Sequence, residues 1–241
     1  MKKFFIINTV CFIFIIGCAT VPVRPTIQDT QIINAPFDKV WEALVATLAE
    51  MGLPIESIEK ESGIVTTDFV IFASGLATEK VLGKVAVYPT SLLYIWSTAR
   101  YKLSIFAIKK GEDATKVKIT THIEAYESNV THNWMVCYSK GVIEKRIFES
   151  IKMKICQEKK GIIGIFVKED GYVVQVTEDG PAAKAGLKVG DKIIKINGCP
   201  VSELSEIICG LRGEPGTTVE VTVMRNNKEY TFKIVRVRLK E

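Results

Sequence analysis

The stretch Gly180–Val201, which reads GPAAKAGLKVGDKIIKINGCPV, decides the fold of the C-terminal part of the chain. Pro181 after a glycine predicts the first turn of a short helix, and Gly186 can take the left-handed conformation that ends it. The apolar residues of Lys192–Ile196 predict a strand. Asn197-Gly198 is the strongest short hairpin signal, because both positions tolerate positive φ. The stretch therefore predicts short strands joined by short helices and tight turns.

The same pattern continues towards the C-terminus. Ser202–Leu211 has apolar residues at helical spacing, whereas Thr217–Met224 and Lys228–Leu239 read as two strands joined by a turn. Basic and apolar residues alternate in the last strand, which predicts a half-buried strand with a solvated basic face. The alternative is a face that contacts a membrane or a nucleic acid. The basic residues concerned are Lys233, Arg236, Arg238 and Lys240.

Residues 162–239 resemble a bacterial PDZ domain, of the kind found in C-terminal processing proteases. The resemblance implies a peptide-binding module with the permuted strand order common in bacteria, and no chemistry of its own. In that family an apolar-Gly-apolar loop precedes the first groove strand, and its N–H groups receive the terminal carboxylate of a peptide. The matching run here is Ile163-Gly164-Ile165-Phe166. Gly164 lets the backbone approach a ligand, and successive N–H groups form an anion-binding hollow.

The resemblance also implies how a peptide would bind. It would add as a strand beside Ile165–Lys168, against the helix of Ser202–Leu211. Lys159 and Lys160 lie just upstream and would attract a carboxylate. The alternatives are a vestigial groove, and a groove that binds internal segments or the protein's own linker. The expected peptide-binding residues are Ile163, Gly164, Ile165, Phe166, Val167, Ile207, Ile208 and Leu211, because the sequence leaves the phase of the helix open.

The N-terminus has the features of an export signal. Lys2 and Lys3 precede the apolar run Phe4–Ile16, which is shorter than the roughly 20 residues of a membrane-spanning helix. The run ends in Ile15-Ile16-Gly17-Cys18, which resembles a bacterial lipobox. This resemblance implies a signal peptide over residues 1–17, lipidation of Cys18 and, because Ala19 follows, the periplasmic face of an outer membrane. The alternative is an uncleaved membrane anchor.

Charge and cysteine content limit the class of protein. The net charge of +5 is too small to indicate nucleic-acid binding, and aromatic and basic residues are not interleaved as in proteins that bind nucleic acids. We therefore expect no nucleic-acid partner. Four cysteines remain besides Cys11 and Cys18, and four thiols allow three disulfide connectivities. The economical choice is one bridge within each domain. The expected bridges are Cys137–Cys156 and Cys199–Cys209.

The first domain is less clearly marked, and the expected fold class of the whole chain is α+β. Residues 18–33 contain prolines among small and polar residues, which is typical of a tether. The region 34–157 is predicted to hold helices over Pro36–Met51 and Ser139–Ile155, packed on one face of an antiparallel meander, and residues 158–241 form the PDZ domain. The segment 70–98 has no clear assignment. The helix from Phe37, the turn and strand of residues 62–67 and the helix that begins with residues 141–144 resemble a repeated domain in the small lipoprotein of the β-barrel assembly machinery. This diffuse resemblance covers roughly residues 30–156 and implies a scaffold or adaptor role.

No residues in the sequence form a recognisable catalytic or metal-binding set. His122 and His132 are the two histidines, and neither has metal-ligand spacing to a cysteine. There is no phosphate-binding glycine-rich loop and no nucleophile elbow. Processing proteases of the resembling kind carry a Ser/Lys catalytic domain after the PDZ domain, and the sequence stops about two residues beyond it. We therefore expect no enzymatic activity, no cofactor and no metal.

These observations favour a lipid-anchored cell-envelope adaptor. Its PDZ domain would bind an extended or C-terminal peptide of a partner protein by strand addition. The alternative is a regulatory or substrate-presenting subunit of a separate envelope protease. An uncharacterised enzyme is the third possibility.

Overall fold

The N-terminal unit, residues 19–157, is built on one antiparallel sheet with two long helices. The computed structural model describes residues 19–238 of the chain. The elements in chain order are β1 (Thr30–Ile33), α1 (Phe37–Glu50), β2 (Ile55–Glu59), β3 (Ile64–Thr67), β4 (Val70–Ser74), a 3-10 turn (Gly75–Ala77), α2 (Thr78–Val85), β5 (Ala86–Val87), β6 (Trp96–Lys109), β7 (Thr115–Glu127), β8 (Asn133–Ser139) and α3 (Val142–Gln157).

The long hairpin of β6 and β7 organises this sheet. The two strands pair from Trp96 opposite Glu127 to Lys109 opposite Thr115. The strand order is β2-β3-β6-β7-β8-β5, with β1 also paired to β7 and β4 to β6. Side chains along β6 and β7 alternate between buried and more exposed over most of their length, and α1 and α3 contact each other and these strands. The predicted α+β class is confirmed.

The predicted tether over residues 18–33 is wrong at its C-terminal end, residues 30–33. Thr30–Ile33 is strand β1, because its backbone pairs with β7 from Thr115 to Lys118. Further upstream, the N–H of Thr20 donates to the carbonyl of Thr90 (2.9 Å). The chain is therefore fixed to the N-terminal unit from its first described residues onwards. Cys18 and the signal-peptide residues lie outside the described part.

The structure also shows elements that the sequence pattern did not predict. The unassigned segment 70–98 contains β4, α2, β5 and the start of β6, and several of these are too short to show a period. Strand β8 ends at Ser139, where the sequence analysis expected a helix to begin. The helix begins instead at Val142, after Gly141 with a φ of 85°. The hydroxyl of Ser139 donates to the carboxylate of Glu144 (2.8 Å) across this junction.

The C-terminal unit, residues 158–238, consists of short strands and two helices. Three small antiparallel sheets, β10-β11, β13-β12-β14-β15 and β16-β9, surround a second core and do not close into a barrel. The elements are β9 (Gly161–Ile162), β10 (Ile165–Val167), β11 (Val173–Val176), α4 (Pro181–Ala185), β12 (Lys192–Ile196), β13 (Cys199–Pro200), α5 (Leu204–Leu211), β14 (Thr218–Arg225), β15 (Lys228–Val235) and β16 (Val237–Arg238).

Helix α5 of the C-terminal unit packs against α3 of the N-terminal unit, and a disulfide joins them. Cys156 on α3 is bonded to Cys209 on α5, so both predicted bridges are wrong. Sequence proximity suggested bridges within each unit, whereas the two helices bring together cysteines 53 residues apart. Cys137 is a buried free thiol and Cys199 an exposed one.

Charged residues extend the contact between α3 and α5. The ammonium of Lys145 lies 2.8 Å from the carboxylate of Glu203, and this hydrogen bond lowers the pKa of Glu203. Burial and the neighbouring Glu203 raise the pKa of Glu149 on α3. The surface between the units is thus partly polar around the disulfide.

A buried carboxylate fixes the loops at one end of the N-terminal sheet. Glu127 is fully buried at the end of β7 and accepts hydrogen bonds from the N–H groups of Ile95 (3.1 Å), Asn129 (2.7 Å), Val130 (2.9 Å) and Thr131. Burial alone would raise the pKa of Glu127, but the hydrogen bonds from the backbone lower it to about 2. The two connections that meet at Glu127 are therefore held in one conformation.

We expect peptide mapping without reduction to recover a linked pair of peptides that contain Cys156 and Cys209. The Cys209→Ser variant should lose about 2–4 kcal/mol of unfolding free energy in urea, because the bridge closes a long loop. The matched variant Cys199→Ser should be unchanged, since that thiol is exposed and unpaired. A peptide pair linking Cys137 to Cys156 would contradict this connectivity.

The Glu127→Gln variant should lose about 1–3 kcal/mol of stability at neutral pH, because its amide cannot accept the same set of hydrogen bonds. The pKa of Glu127 is about 2 in the folded chain, against 4.5 for an ordinary glutamate. Its stabilisation is therefore complete above pH 4.5 and is lost as the pH falls towards 2. The free energy of unfolding, measured in urea, should therefore fall less steeply with falling pH for Glu127→Gln than for the wild type. Glu56→Gln on the exposed strand β2 is the control and should follow the wild type.

Candidate functional site

A groove of about 560 Å³ runs between strand β10 and helix α5 in the C-terminal unit. Its floor and walls are mostly apolar, as expected of a surface that takes up side chains of a peptide. Seven of the eight residues predicted to bind a peptide line this groove, and the eighth, Ile207, does not. The lining residues are Ile162, Ile163, Gly164, Ile165, Phe166, Val167, Thr177, Ile208, Leu211 and Arg212.

Strand β10 has one paired edge and one open edge. It pairs with β11, Ile165 opposite Val176 and Phe166 opposite Gln175. The N–H of Thr177 donates to the carbonyl of Gly164 (2.9 Å). In an antiparallel pair, successive residues direct their backbone groups alternately towards and away from the partner strand. Backbone groups of Ile165 therefore point away from β11, towards α5. Within residues 19–238 no strand pairs with this edge.

Two successive carbonyls in the loop before β10 are bonded to the rest of the unit, which sets the direction of the N–H groups that follow them. The carbonyl of Ile163 accepts from the N–H of Ala182 (3.0 Å), and that of Gly164 accepts from Thr177. Neither peptide bond is cis, and in a planar trans peptide the N–H points opposite to the carbonyl. The N–H of Gly164 thus points away from Ala182, and the N–H of Ile165 points away from Thr177 and β11. Two adjacent donors of this kind form a hollow for an anion.

Glycine is required at the centre of this loop. Gly164 has a φ of 79°, a conformation that other residues rarely adopt. A Cβ placed there would also lie 3.3 Å from the side chain of Thr177. Both constraints agree with the expectation that this glycine opens the backbone. They also mean that a substitution at Gly164 would disturb the fold as well as binding.

Helix α5 forms the opposite wall through Ile208 and Leu211. Ile208 is half-buried and lines the groove, whereas Ile207 is 1% exposed and belongs to the core beneath the helix. The sequence did not decide which of Ile207, Ile208 and Leu211 face the groove. The assignment of Ile207 to the groove is wrong. Cys209, on a third side of α5, is bonded to α3.

The cation at the groove is Arg212, which the sequence analysis did not single out. It follows α5 directly and lines the groove, and its guanidinium donates to the carbonyl of Gln157 (3.2 Å). Lys159 and Lys160, which were expected to attract a carboxylate, are not among the lining residues. The position of Arg212 at the end of a predicted groove helix was the available signal.

A buried arginine holds the C-terminal end of α5. Arg236 is 7% exposed and donates to the carbonyls of Leu211 (2.8 Å) and Gly210 (2.8 Å), and to the hydroxyl of Thr217 (2.9 Å). These bonds satisfy carbonyls that a helix end leaves unpaired. The prediction of a solvated basic face is therefore wrong at Arg236, although Lys233 and Arg238 are exposed.

The two histidines do not form a chemical site. His122 contacts Glu124 on the same strand (3.0 Å), and Glu124 also binds Arg100. In the described part of the chain, no group of three or more histidine, cysteine, aspartate or glutamate side chains could hold a metal ion. Between Ala19 and Arg238, none of the helices combines the length and apolar character needed to cross a membrane.

Comparison with known families identifies a PDZ domain in the C-terminal unit. Residues 161–235 match the family model described as PDZ domain. The match covers less than half of the chain, so it characterises this unit and leaves the N-terminal unit unassigned. The similarity of the N-terminal unit to a lipoprotein of the barrel-assembly machinery stays a prediction.

Relatives among curated proteins are proteases that match over a short segment. Serine endoprotease DegS of Salmonella typhimurium is 44% identical over 66 residues, which is 27% of this chain and 18% of that protein. Serine protease Do-like HtrA of Bacillus subtilis is 34% identical over 105 residues, 40% of this chain and 23% of that protein. The chain thus spans less than a quarter of the length of either relative.

Solved structures with local similarity include two protease-related chains. The HtrA3 PDZ domain bound to a phage-derived ligand (FGRWV) is 27% identical, with a TM-score of 0.30, over 33% of this chain and 88% of that one. The photosystem II D1 C-terminal processing protease is 26% identical, with a TM-score of 0.31, over 33% of this chain and 24% of that one.

The Arg236→Met variant should lose about 2–4 kcal/mol of unfolding free energy, because the end carbonyls of α5 would be left buried without donors. Arg238→Met, two residues further along the same segment and exposed, is the matched control and should lose little. Urea unfolding followed by circular dichroism measures both. Equal stability of the two variants would show that Arg236 does not fix α5.

Proposed function

We propose that this chain is a lipid-anchored envelope adaptor whose PDZ domain captures the C-terminal end of a partner protein. The observation that carries the proposal is that the carbonyls of Ile163 and Gly164 are bonded to Ala182 and Thr177, which turns the N–H groups of the following residues the other way, beside an open strand edge. A terminal carboxylate would accept from these donors, and the preceding residues would pair with β10 as an added strand. The role needs binding alone and no catalytic step.

The side-chain preferences follow from the walls of the groove. Ile208 and Leu211 face a space that suits an apolar last residue, and Arg212 adds an attractive charge for the carboxylate. Strand β10 is three residues long, so only a short segment of peptide can pair with it. We therefore expect an affinity of about micromolar, or roughly −8 kcal/mol, because a short peptide must also become ordered.

The location of relatives in the cell envelope supports the proposed lipid anchor on Cys18. The matching segments belong to proteins such as a probable periplasmic serine endoprotease and serine endoprotease DegS. The apolar run and Cys18 at the N-terminus would supply export and attachment, and Ala19 favours the periplasmic face of an outer membrane. We propose neither a nucleic-acid partner nor a cofactor.

A second candidate is a regulatory or substrate-presenting subunit of a separate envelope protease. The observation that favours it is that the matched segments come from serine proteases and zinc metalloproteases. The same groove would then present a substrate end. Photo-crosslinking from Phe166, which lines the groove and is 60% exposed, separates the two candidates. A protease among the partners that crosslink to the wild type but not to Ile208→Glu supports this second role.

The detergent-solubilised full chain should bind fluorescent peptides that carry a free carboxylate and an apolar last residue. Amidation of the carboxylate should weaken binding by about tenfold or more, because charged hydrogen bonds to the loop are lost. Ile208→Glu should weaken it similarly by placing a charge in the groove, and Arg212→Gln should reduce the dependence of affinity on salt. Fluorescence anisotropy measures each affinity.

The control for these titrations is Val189→Glu, an equally polar change at a 64% exposed residue outside the groove. It should bind as the wild type does. Equal binding of free and amidated peptides would reject the carboxylate site. The absence of saturable binding to any peptide of a free C-terminal library would reject the proposed function as a whole.

A further inference from the structure

Four large apolar side chains are exposed together at one end of the N-terminal sheet. Leu92 is 95% exposed, Leu93 58%, Ile95 56% and Val130 49%. We call these four residues the apolar tip. They come from two connections, β5 to β6 and β7 to β8, that meet at the end of the central hairpin. Exposed clusters of this kind, unlike scattered single residues, indicate an interaction surface.

Hydrogen bonds keep the two connections side by side. The N–H of Ser128 donates to the carbonyl of Ile95 (2.9 Å), and the amide of Asn129 donates to the carbonyl of Leu93 (2.7 Å). Beneath them, the buried carboxylate of Glu127 binds N–H groups from both connections. The apolar side chains are thus displayed on an ordered backbone.

The tip carries no ionised side chain. Residues 88–98 (YPTSLLYIWST) and 128–134 (SNVTHNW) contain no lysine, arginine, aspartate or glutamate. Tyr88 and Tyr94 are half-buried with their rings against Trp96, at centroid distances of 5.6 Å and 5.8 Å. Uncharged loops with tyrosines beside leucines suit the boundary between lipid headgroups and acyl chains, where one end of a side chain is apolar and the other wet.

The start of the described chain lies beside the tip. The backbone of Thr20 binds that of Thr90, and their hydroxyls are 2.6 Å apart. Thr90 precedes Leu92 by two residues. In the sequence, Cys18 precedes Thr20 by two residues. An acyl anchor on Cys18 would therefore bring the bilayer surface next to the tip.

We propose that the apolar tip inserts into the membrane interface and makes the bilayer a second contact besides the anchor. This inference rests on the proposed lipidation of Cys18. Burial of the four side chains in the acyl boundary would remove them from water and hold the N-terminal unit in one orientation at the surface. Val21 and Val23, which follow Thr20 closely in the sequence, are 87% and 81% exposed and add further apolar surface near the start of the described chain.

The test uses an environment-sensitive fluorophore on the full chain in vesicles of phosphatidylethanolamine and phosphatidylglycerol. Cys199→Ser serves as the parent, because Cys137 is buried and Cys156 and Cys209 are bonded to each other. Leu92→Cys places the fluorophore on the tip. Val189→Cys, an exposed site in the C-terminal unit, is the matched control.

The emission of the Leu92→Cys fluorophore should shift to the blue in vesicles and be quenched by spin-labelled lipid, whereas that of Val189→Cys should do neither. A water-exposed emission at Leu92 in a chain that floats with the vesicles would overturn the inference alone. A blue shift without quenching would also overturn it, because protein and not lipid would then cover the tip. If the parent chain reacts with the fluorophore, Cys18 is a free thiol. A parent chain that reacts in this way and does not float with the vesicles would reject the anchor and the inference together.

Discussion

The planarity of two successive peptide groups is the constraint on which the groove depends. The carbonyls of Ile163 and Gly164 are bonded to the N–H groups of Ala182 and Thr177, in α4 and just after β11. Each trans peptide must then direct its N–H the other way. The direction of these two N–H groups is thus a consequence of how the loop is attached to the unit, and no side chain has to supply it. This explains why the glycine matters for its conformation and not for any chemistry.

Helix α5 connects this groove to the rest of the molecule. Ile208 faces the groove, Ile207 the core and Cys209 the N-terminal unit, so that one short helix serves three environments. The buried guanidinium of Arg236 closes its C-terminal end. The disulfide therefore fixes one wall of the groove, helix α5, to α3 of the N-terminal unit.

The N-terminal unit shows a different use of buried charge. Glu127 fixes two connections that carry exposed leucines, and the first described residues run beside them. A carboxylate satisfied by several N–H groups stabilises irregular backbone that would otherwise have unpaired donors. The sheet thereby holds the apolar tip beside the first described residues, whereas the groove lies in the C-terminal unit.

The sequence by itself determined the local geometry of the C-terminal unit. Pro181, Gly186 and Asn197-Gly198 act through the backbone conformations that they allow, and the helix, its end and the hairpin lie where these residues predicted them. The run around Gly164 was placed in the groove by its resemblance to the PDZ family, and it lines the groove with Gly164 at a φ of 79°.

Only the tertiary structure decided which distant groups meet. The pairing of Cys156 with Cys209, the burial of Arg236, the inward phase of Ile207 and the pairing of Thr30–Ile33 with β7 all depend on how separate elements pack. Periodicity gives the face of a helix within its own turn, but it does not say which neighbour will cover that face. That choice is made by the whole core at once, because each element must bury its apolar side against another.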